Sequence, residues 1–291
     1  MISPCTGVCK LDDATGWCLG CGRTGAEVAG WAKKTREDRT AIWDGLPARL
    51  QQLGISYRRL PWSTHDIIQF VVQSLEQRTG CWVMGVVGAV AEFSPALNEP
   101  VTVASTDSTI TAHTLGGSMH MVIDERIRVL EFQRSPANAG PPRIALVVPV
   151  EAHHERFEAG FTQDLGKDTE ALIPEVASRL FDLGLGRKAA RFCVRVAPGA
   201  AHTALKQVIG QPFAQSLAKA GAELIVECPT RIVESPIGRI EVAGSIPSPD
   251  QTSPDGPHTH LLPEHLALER NSPVDIDVPE AYLPAALFYP V

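Results

Sequence analysis

An α+β fold is predicted: a small four-cysteine metal-knuckle module with helices, followed by a larger mixed domain built on an antiparallel sheet. Three observations lead there. Two close cysteine pairs, Cys5/Cys9 and Cys18/Cys21, open a chain that has only three other cysteines. Two helix-start signals follow them directly. Beyond residue 80, apolar residues recur in strand-like runs broken by Gly and Pro, with no regular β–α alternation, which argues against a doubly wound sheet.

The composition is that of a soluble globular protein. The chain has 291 residues, 44% hydrophobic and 20% charged, with mean hydropathy near zero. The longest apolar run, Cys81 to Ala91, holds Gly85 and Gly88, stops at Glu92 and is too short to span a bilayer. Met1-Ile-Ser-Pro-Cys5 has neither the basic nor the apolar region of an export signal. A cytoplasmic, reducing location is therefore expected, where clustered cysteines mean metal rather than disulfides. The formal charge of −7 is unevenly placed: residues 1–60 hold nine Lys/Arg against six Asp/Glu, and residues 241–291 one against eight. The basic head can meet the acidic tail or face an anionic partner.

In the head, eight residues separate Cys5-x3-Cys9 from Cys18-x2-Cys21, the spacing of a four-thiolate metal site. Gly22 follows the last thiol, where a knuckle needs positive φ so that backbone N–H groups turn onto sulfur. Thr24 with Glu27 forms a capping box opening a helix through Val28 and Trp31. Thr35 with Asp38 repeats the signal, and Trp43, Leu46, Leu50 and Leu53 follow at helical spacing. Pro47 falls inside that helix and is expected to kink or divide it. So small a head has too little apolar surface to fold without metal. A Tyr/Arg/Pro-rich connector, Gly54 to Ser63, divides the chain into residues 1–54 and 64–291.

Ser3-Pro-Cys5, Gly7, Cys9, Asp12, Gly16, Cys18, Gly20-Cys21-Gly22-Arg23-Thr24, Glu27 and Trp31 carry a resemblance. They resemble a small bacterial domain family of unknown function described as a predicted Fe-S protein. The likeness spans roughly the first fifty residues and all four cysteines. It implies a bound metal or cluster.

The larger part opens with a helix, His65 to Arg78. Strands are expected at Cys81–Val90, Val101–Ser105, Ser108–Leu115, Ser118–Asp124, Arg126–Gln133 and Arg143–Val150. Gly116-Gly117 reads as a two-residue hairpin turn pairing Thr114 with Met119 and His113 with His120. Helices are expected near Glu151–Ala159, from Pro174 to Gly184, at Ala204–Ile209 and at Phe213–Ala220. Strands are expected at Arg191–Val196, Glu223–Glu227 and Gly238–Val242. The nine prolines after Ser245 suggest loops. Leu180-Phe-Asp-Leu-Gly184-Leu-Gly186, Ser235-Pro-Ile-Gly-Arg-Ile-Glu241 and Ser253-Pro-Asp-Gly-Pro-His-Thr-His260-Leu-Leu-Pro263 resemble an uncharacterised bacterial domain family, which implies kinship and no mechanism.

Cys5, Cys9, Cys18 and Cys21 are the metal ligands this reading selects. The Cys-x-x-Cys-Gly-Arg turn and the helix after it favour structural zinc; an iron–sulfur cluster accepts the same four thiolates. Arg23, Lys33 and Lys34 are placed to offset the thiolate charge. With Arg36, Arg39, Arg58 and Arg59 they otherwise suggest nucleic acid, against the acidic whole. Cys81, Cys193 and Cys228 lie in apolar strand contexts and read as core. His153 and His154, adjacent at a helix start, face apart.

A candidate second site gathers Asp255, His258, His260, Glu264 and His265. If extended, His258 and His260 project to one side, as metal-binding His-x-His pairs do; the plainer alternative is a stiff loop whose imidazoles bond to backbone. His113 and His120 form a candidate opposite wall, or else a solvated sheet face. The resulting reading is a metal-binding protein with a binding or accessory role and a small-molecule or protein partner. Its competitors are an iron–sulfur redox protein, a metal-dependent hydrolase using His258 and His260, and a nucleic-acid binder. No phosphate loop, nucleophile elbow or dinucleotide fingerprint is present.

Overall fold

The computed structural model describes residues 2–133, 140–152, 157, 160–175, 177–186, 189–246, 254–261 and 276–291. Among these, five α-helices and two large antiparallel sheets make an α+β fold.

Both capping boxes of the head form. Thr24 caps α1 (Gly25–Ala29) and Thr35 caps α2 (Arg36–Gln52), each with its acidic partner returning a bond to the cap N–H. Contrary to expectation, Pro47 does not divide α2, which stays helical to Gln52. The helix forgoes one backbone hydrogen bond there, while Ile42, Leu46 and Leu50 remain buried along one side. The connector holds β1 (Tyr57–Arg59), and α3 (Thr64–Glu76) starts on a third capping box, Ser63 with Asp66.

The strands continue as β2 (Gly80–Val86), β3 (Ala89–Phe93), β4 (Thr102–Ser105), β5 (Thr109–His113), β6 (Gly117–Val122), β7 (Arg128–Phe132) and β8 (Arg143–Pro149). Then come β9 (Gln163–Gly166), β10 (Arg179–Asp182), β11 (Arg191–Val196), α4 (Ala200–Gln207), α5 (Phe213–Glu227), β12 (Thr230–Ser235), β13 (Gly238–Val242), β14 (His258–Leu261) and β15 (Tyr282–Pro290). One sheet runs β1-β7-β8-β15-β2-β3-β14, the other β4-β5-β6-β13-β12-β11-β10-β9.

Several local expectations give way to tertiary pairing. The run Cys81–Val90 is a hairpin rather than one strand, turning at Val87-Gly88. The β5–β6 hairpin pairs His113 with Ser118 and Thr111 with His120, so His113 and His120 are not opposite each other as a turn at Gly116-Gly117 would place them. The two-residue turn sits one residue earlier, at Leu115-Gly116, and is closed by the Thr114 N–H bonding to the Gly117 carbonyl. The apolar face survives this change, since a shift of two residues keeps parity: Ile110, Ala112, Met119, Met121 and Ile123 are all fully buried.

The expected helix from Pro174 to Gly184 instead contains β10, where Phe181 faces the core and its neighbours Leu180 and Asp182 face out. Residues 223–227 are not a strand but the last turns of α5, with Ala220, Gly221 and Leu224 buried at helical spacing. Two strands lie within the proline-rich tail, and Pro284 sits at a register shift in β15, where a missing N–H is tolerated. Val150–Ala152 is a short 3-10 turn. His153, His154 and Glu155, with the rest of the helix expected there, lie outside the described residues.

The sheets pack face to face. Trp82, Met84, Ala91 and Phe93 of the first meet Met119, Met121, Val194, Val233 and Ile240 of the second in one apolar layer, with α3, α4 and α5 adding to it. Strand alternation then turns the next residues outward, onto two separate outer faces.

One buried acid gives this fold a pH signature. Asp182 is 3% exposed and accepts a bond from the Gly184 N–H at 2.8 Å. Burial pushes its carboxyl up to about 6, against the pull of that N–H and of Arg191. Between the unfolded value of 3.8 and about 6, the folded state keeps a proton that the unfolded chain has lost, so stability falls as pH rises through this window. Asp182→Asn keeps the acceptor and removes the titration. Denaturant unfolding at pH 4 and pH 7 should show the parent losing on the order of 3 kcal/mol relative to the variant. Parallel profiles would contradict this assignment.

Candidate metal centres

The head folds as a knuckle. Bridges Leu11–Cys18 and Trp17–Thr24 fold the second cysteine pair back on the segment before it. The two pairs repeat one local feature: the N–H of Gly7 points at Cys5 Sγ and that of Gly20 at Cys18 Sγ, each at 3.4 Å. Gly22 has φ +74°, as the turn after a terminal thiol requires, and Cys9 adopts φ +47° without being glycine. Arg23 is 2% exposed and donates from Nε to Cys21 Sγ at 3.4 Å, with its guanidinium 5.0 Å from the Trp31 ring centre.

Cys18 and Cys21 are buried, Cys5 half-buried and Cys9 exposed. Cys5 and Cys18 crowd Cys9, and its pKa is raised by Cys5 first and by burial next. Burial raises that of Cys21 against the opposing bond from Arg23. No three of the four sulfurs all lie within 4.8 Å of one another, so a bound ion would draw them closer. The donor set fits zinc or a cluster: four sulfurs, backbone N–H groups aimed at two of them and a cation at a third.

Arg49 of α2 ties this knuckle together, a role its sequence position does not advertise. It donates to the Gly22 carbonyl at 3.2 Å and, through two nitrogens, to both carboxylate oxygens of Glu27 at 2.7 and 3.1 Å. Burial opposes ionisation of Glu27, but the bonds from Arg49 and Thr24 outweigh it and lower its pKa. Other basic groups also turn inward. Arg39 bonds the carbonyls of Trp31 and Ala32, Arg58 pairs with Glu131, and Arg59 donates to the Cys5 carbonyl.

The late histidines lie on the first sheet. His258 stands opposite Glu92 and His260 opposite Val90, so both imidazoles share the outer face with Glu92. The ligand atoms of Glu92, His258 and His260 all lie within 4.8 Å of one another. The His258 ring is 2% exposed and edge-on to His260, with centres 4.7 Å apart. Its Nδ1 donates to the Gly256 carbonyl at 2.8 Å, and Gly256 itself sits at φ +95°. Burial lowers the His258 pKa, and Glu92 with the Gly256 carbonyl reverses that into a net rise. His260 is lowered by burial and by His258. Cys81, expected to be inert core, sits behind Glu92 with Sγ 3.7 Å from Oε2; burial first and then Glu92 push this thiol up.

The other proposed members do not join. Asp255 accepts from the Leu97 N–H at 3.1 Å and ties two loops. Glu264 and His265 lie outside the described residues. His113 and His120 occupy the outer face of the second sheet, bonded to Ser118 and Thr111 respectively. The apolar layer separates them from His258, so they form no opposite wall. Burial and neighbouring Arg239 lower the His120 pKa. A cleft of about 330 Å³ lies elsewhere, between Arg59–Ile67 and Asp124–Val129.

The model of a family described as a family of unknown function (DUF6925) matches residues 66–291. The chain belongs to the DUF6925 family. A second model, described as a protein of unknown function (DUF1289), matches residues 3–50 and takes in all four head cysteines. No curated protein and no solved structure matches the chain. The candidate ligands thus divide cleanly, four sulfurs in the DUF1289 segment and Glu92, His258 and His260 in the DUF6925 domain. Among the described residues, no helix is long and apolar enough to cross a membrane.

Glu92 is the residue that sequence reasoning missed. Its signal is that it ends an apolar run at an outward position of a strand, but its partner is set by β3–β14 pairing.

Replacing Arg49 with Met should loosen the head by about 1–3 kcal/mol, because a charge-assisted pair and a carbonyl lose their donor. Lys should not restore it, lacking the two-pronged geometry. Amide hydrogen exchange across Cys18–Glu27 should accelerate while the sheets keep their protection. Unchanged exchange there would remove Arg49 from this role.

Proposed function

We propose that Cys5, Cys9, Cys18 and Cys21 together hold one structural metal ion and that zinc fills the site. On this reading the head is a metal-stabilised module fixed to a DUF6925 domain of binding or accessory role. The observation that supports it is the repeated N–H···S arrangement at Cys5 and Cys18, completed by Arg23 at Cys21. Such donors favour thiolates over neutral thiols, and thiolates are the form that binds metal.

Four thiolates around Zn²⁺ carry a net charge of −2, which buried Arg23 partly offsets. The metal would supply folding free energy to a segment whose own apolar core is small. A cytoplasmic, reducing location, which keeps the thiols available, belongs to the same reading. Arg23, Arg39, Arg49, Arg58 and Arg59 serve internal contacts, while Lys33 and Arg36 stay exposed, which weakens the case for a basic nucleic-acid surface.

Elemental and sulfide analysis of anaerobically purified full-length protein tests this. Zinc should be found without iron or sulfide, and Cys18→Ser/Cys21→Ser should lose one equivalent while the sheet domain keeps its thermal transition. Stoichiometric iron and sulfide would replace zinc by a cluster. Undiminished metal in the double variant would remove the site itself.

A further inference from the structure

Outside the head, one group of side chains is built like a metal site and is independent of the four sulfurs. We propose that Glu92, His258 and His260 bind a divalent transition-metal ion of the zinc class, with water completing its coordination.

The argument starts from strand pairing. His258 and His260 are two residues apart on β14 and therefore share a face, and antiparallel pairing puts Glu92 of β3 directly across from His258. Three ligand side chains on one ladder need no long-range loop closure to meet. The ladder itself presets them, and a site on strands holds its geometry better than one on loops.

The second observation is a buried atom without a hydrogen bond. Nδ1 of His258 gives a proton to the Gly256 carbonyl at 2.8 Å, so that in the neutral ring Nε2 is the lone-pair acceptor. That Nε2 is buried, makes no hydrogen bond, and lies 3.4 Å from Glu92 Oε2. In the neutral ring Nε2 and the carboxylate are two acceptors facing each other, and a metal cation between them, in place of a proton, bonds to both. The spacing is also apt. Ligand atoms around tetrahedral zinc, at bonds of about 2.0–2.2 Å, are separated by about 3.3–3.6 Å.

The surroundings complete the pattern. A backbone carbonyl fixes the tautomer and direction of His258, as metal-bound imidazoles require. The Cys81 Sγ stands 3.7 Å behind Glu92 Oε2, placed to donate to the ligand carboxylate rather than to bind. Two imidazoles and one carboxylate leave a coordination position for water, and the one-quarter exposure of the Glu92 side chain gives solvent access to it. An open position of this kind suits an oxygen ligand such as a carbonyl or carboxylate group.

Cobalt(II) titration of metal-free, thiol-reduced full-length protein separates this site from the head. Cobalt bound by thiolates absorbs strongly through sulfur-to-metal charge transfer, whereas cobalt on two nitrogens and an oxygen gives only weak bands. Two equivalents should bind, one of each spectral type. His258→Ala should remove the weak-band equivalent alone, and Cys18→Ser/Cys21→Ser the strong-band equivalent alone. Glu92→Gln, close in shape and safe for folding should His258→Ala not fold, should weaken the second site at least about tenfold. A parent protein with no weak-band equivalent would overturn the proposal, as would one whose affinity for it survives Glu92→Gln unchanged. Loss of the strong-band equivalent from the parent would count against the head site and leave this one standing.

Discussion

The face-to-face packing of the two sheets is the constraint on which the rest of the molecule depends. The central strands contribute alternate residues to one shared apolar layer, which includes Trp82, Phe93, Met119 and Ile240. A polar group cannot enter that layer without losing its hydration. Apart from Arg231, which reaches Thr259 across the sheets at 3.3 Å, the strands' charged groups therefore turn to two outer faces, and residues on opposite outer faces cannot meet. This is why His258 and His260 find Glu92 but not His113 or His120.

The two faces handle buried charge differently. On the second sheet, Arg195 is 1% exposed and Arg239 4%, and both lie among carboxylates. Arg195 reaches Asp168 at 2.8 Å and Glu241 at 2.6 Å, and Arg239 shares Asp168 at 2.9 Å. Burial opposes ionisation of Asp168, and the two guanidiniums override it and hold its pKa low. The Nε of each arginine makes no hydrogen bond but keeps a carboxylate at 3.4 Å (Arg195–Glu175) or 3.2 Å (Arg239–Glu241), so positive and negative groups offset each other within the network. On the first sheet, the imidazole nitrogen facing Glu92 lacks a hydrogen bond. The difference lies in the residue types: the second sheet sets guanidiniums against carboxylates, whereas the first gathers the ligand-type atoms of Glu92, His258 and His260 within 4.8 Å of one another.

Head and sheets are joined through the chain around the first cysteine. Arg59 of β1 donates to the Cys5 carbonyl at 3.1 Å, and the Tyr282 hydroxyl reaches the same carbonyl at 3.4 Å. A Cβ built on Gly7 would lie 2.9 Å from that of Ala281, so the knuckle abuts the C-terminal segment closely. β1 pairs with β7 and so extends the seven-stranded sheet out of the connector. Burial and nearby Arg128 push Arg59 down to about 10, a sign of how enclosed this junction is.

Local chemistry made a good part of this legible from sequence. Capping boxes at Thr24 and Thr35 need only residues three apart, and both form. The cysteine spacing, the positive φ of Gly22 and the inward faces of β5 and β6 likewise follow from short-range geometry. The shared side of His258 and His260 is set by strand periodicity alone. Tertiary structure decided the rest. Pro47 stays helical because α2 packs along its length, and residues 223–227 stay helical because Leu224 is buried. Arg179–Asp182 extends because β9 and β11 pair on either side of it. Glu92 meets His258 through β3–β14 pairing between segments remote in the chain, and no local pattern encodes such a register. A single sequence states which residues can face one way; only the packed sheets determine what they face.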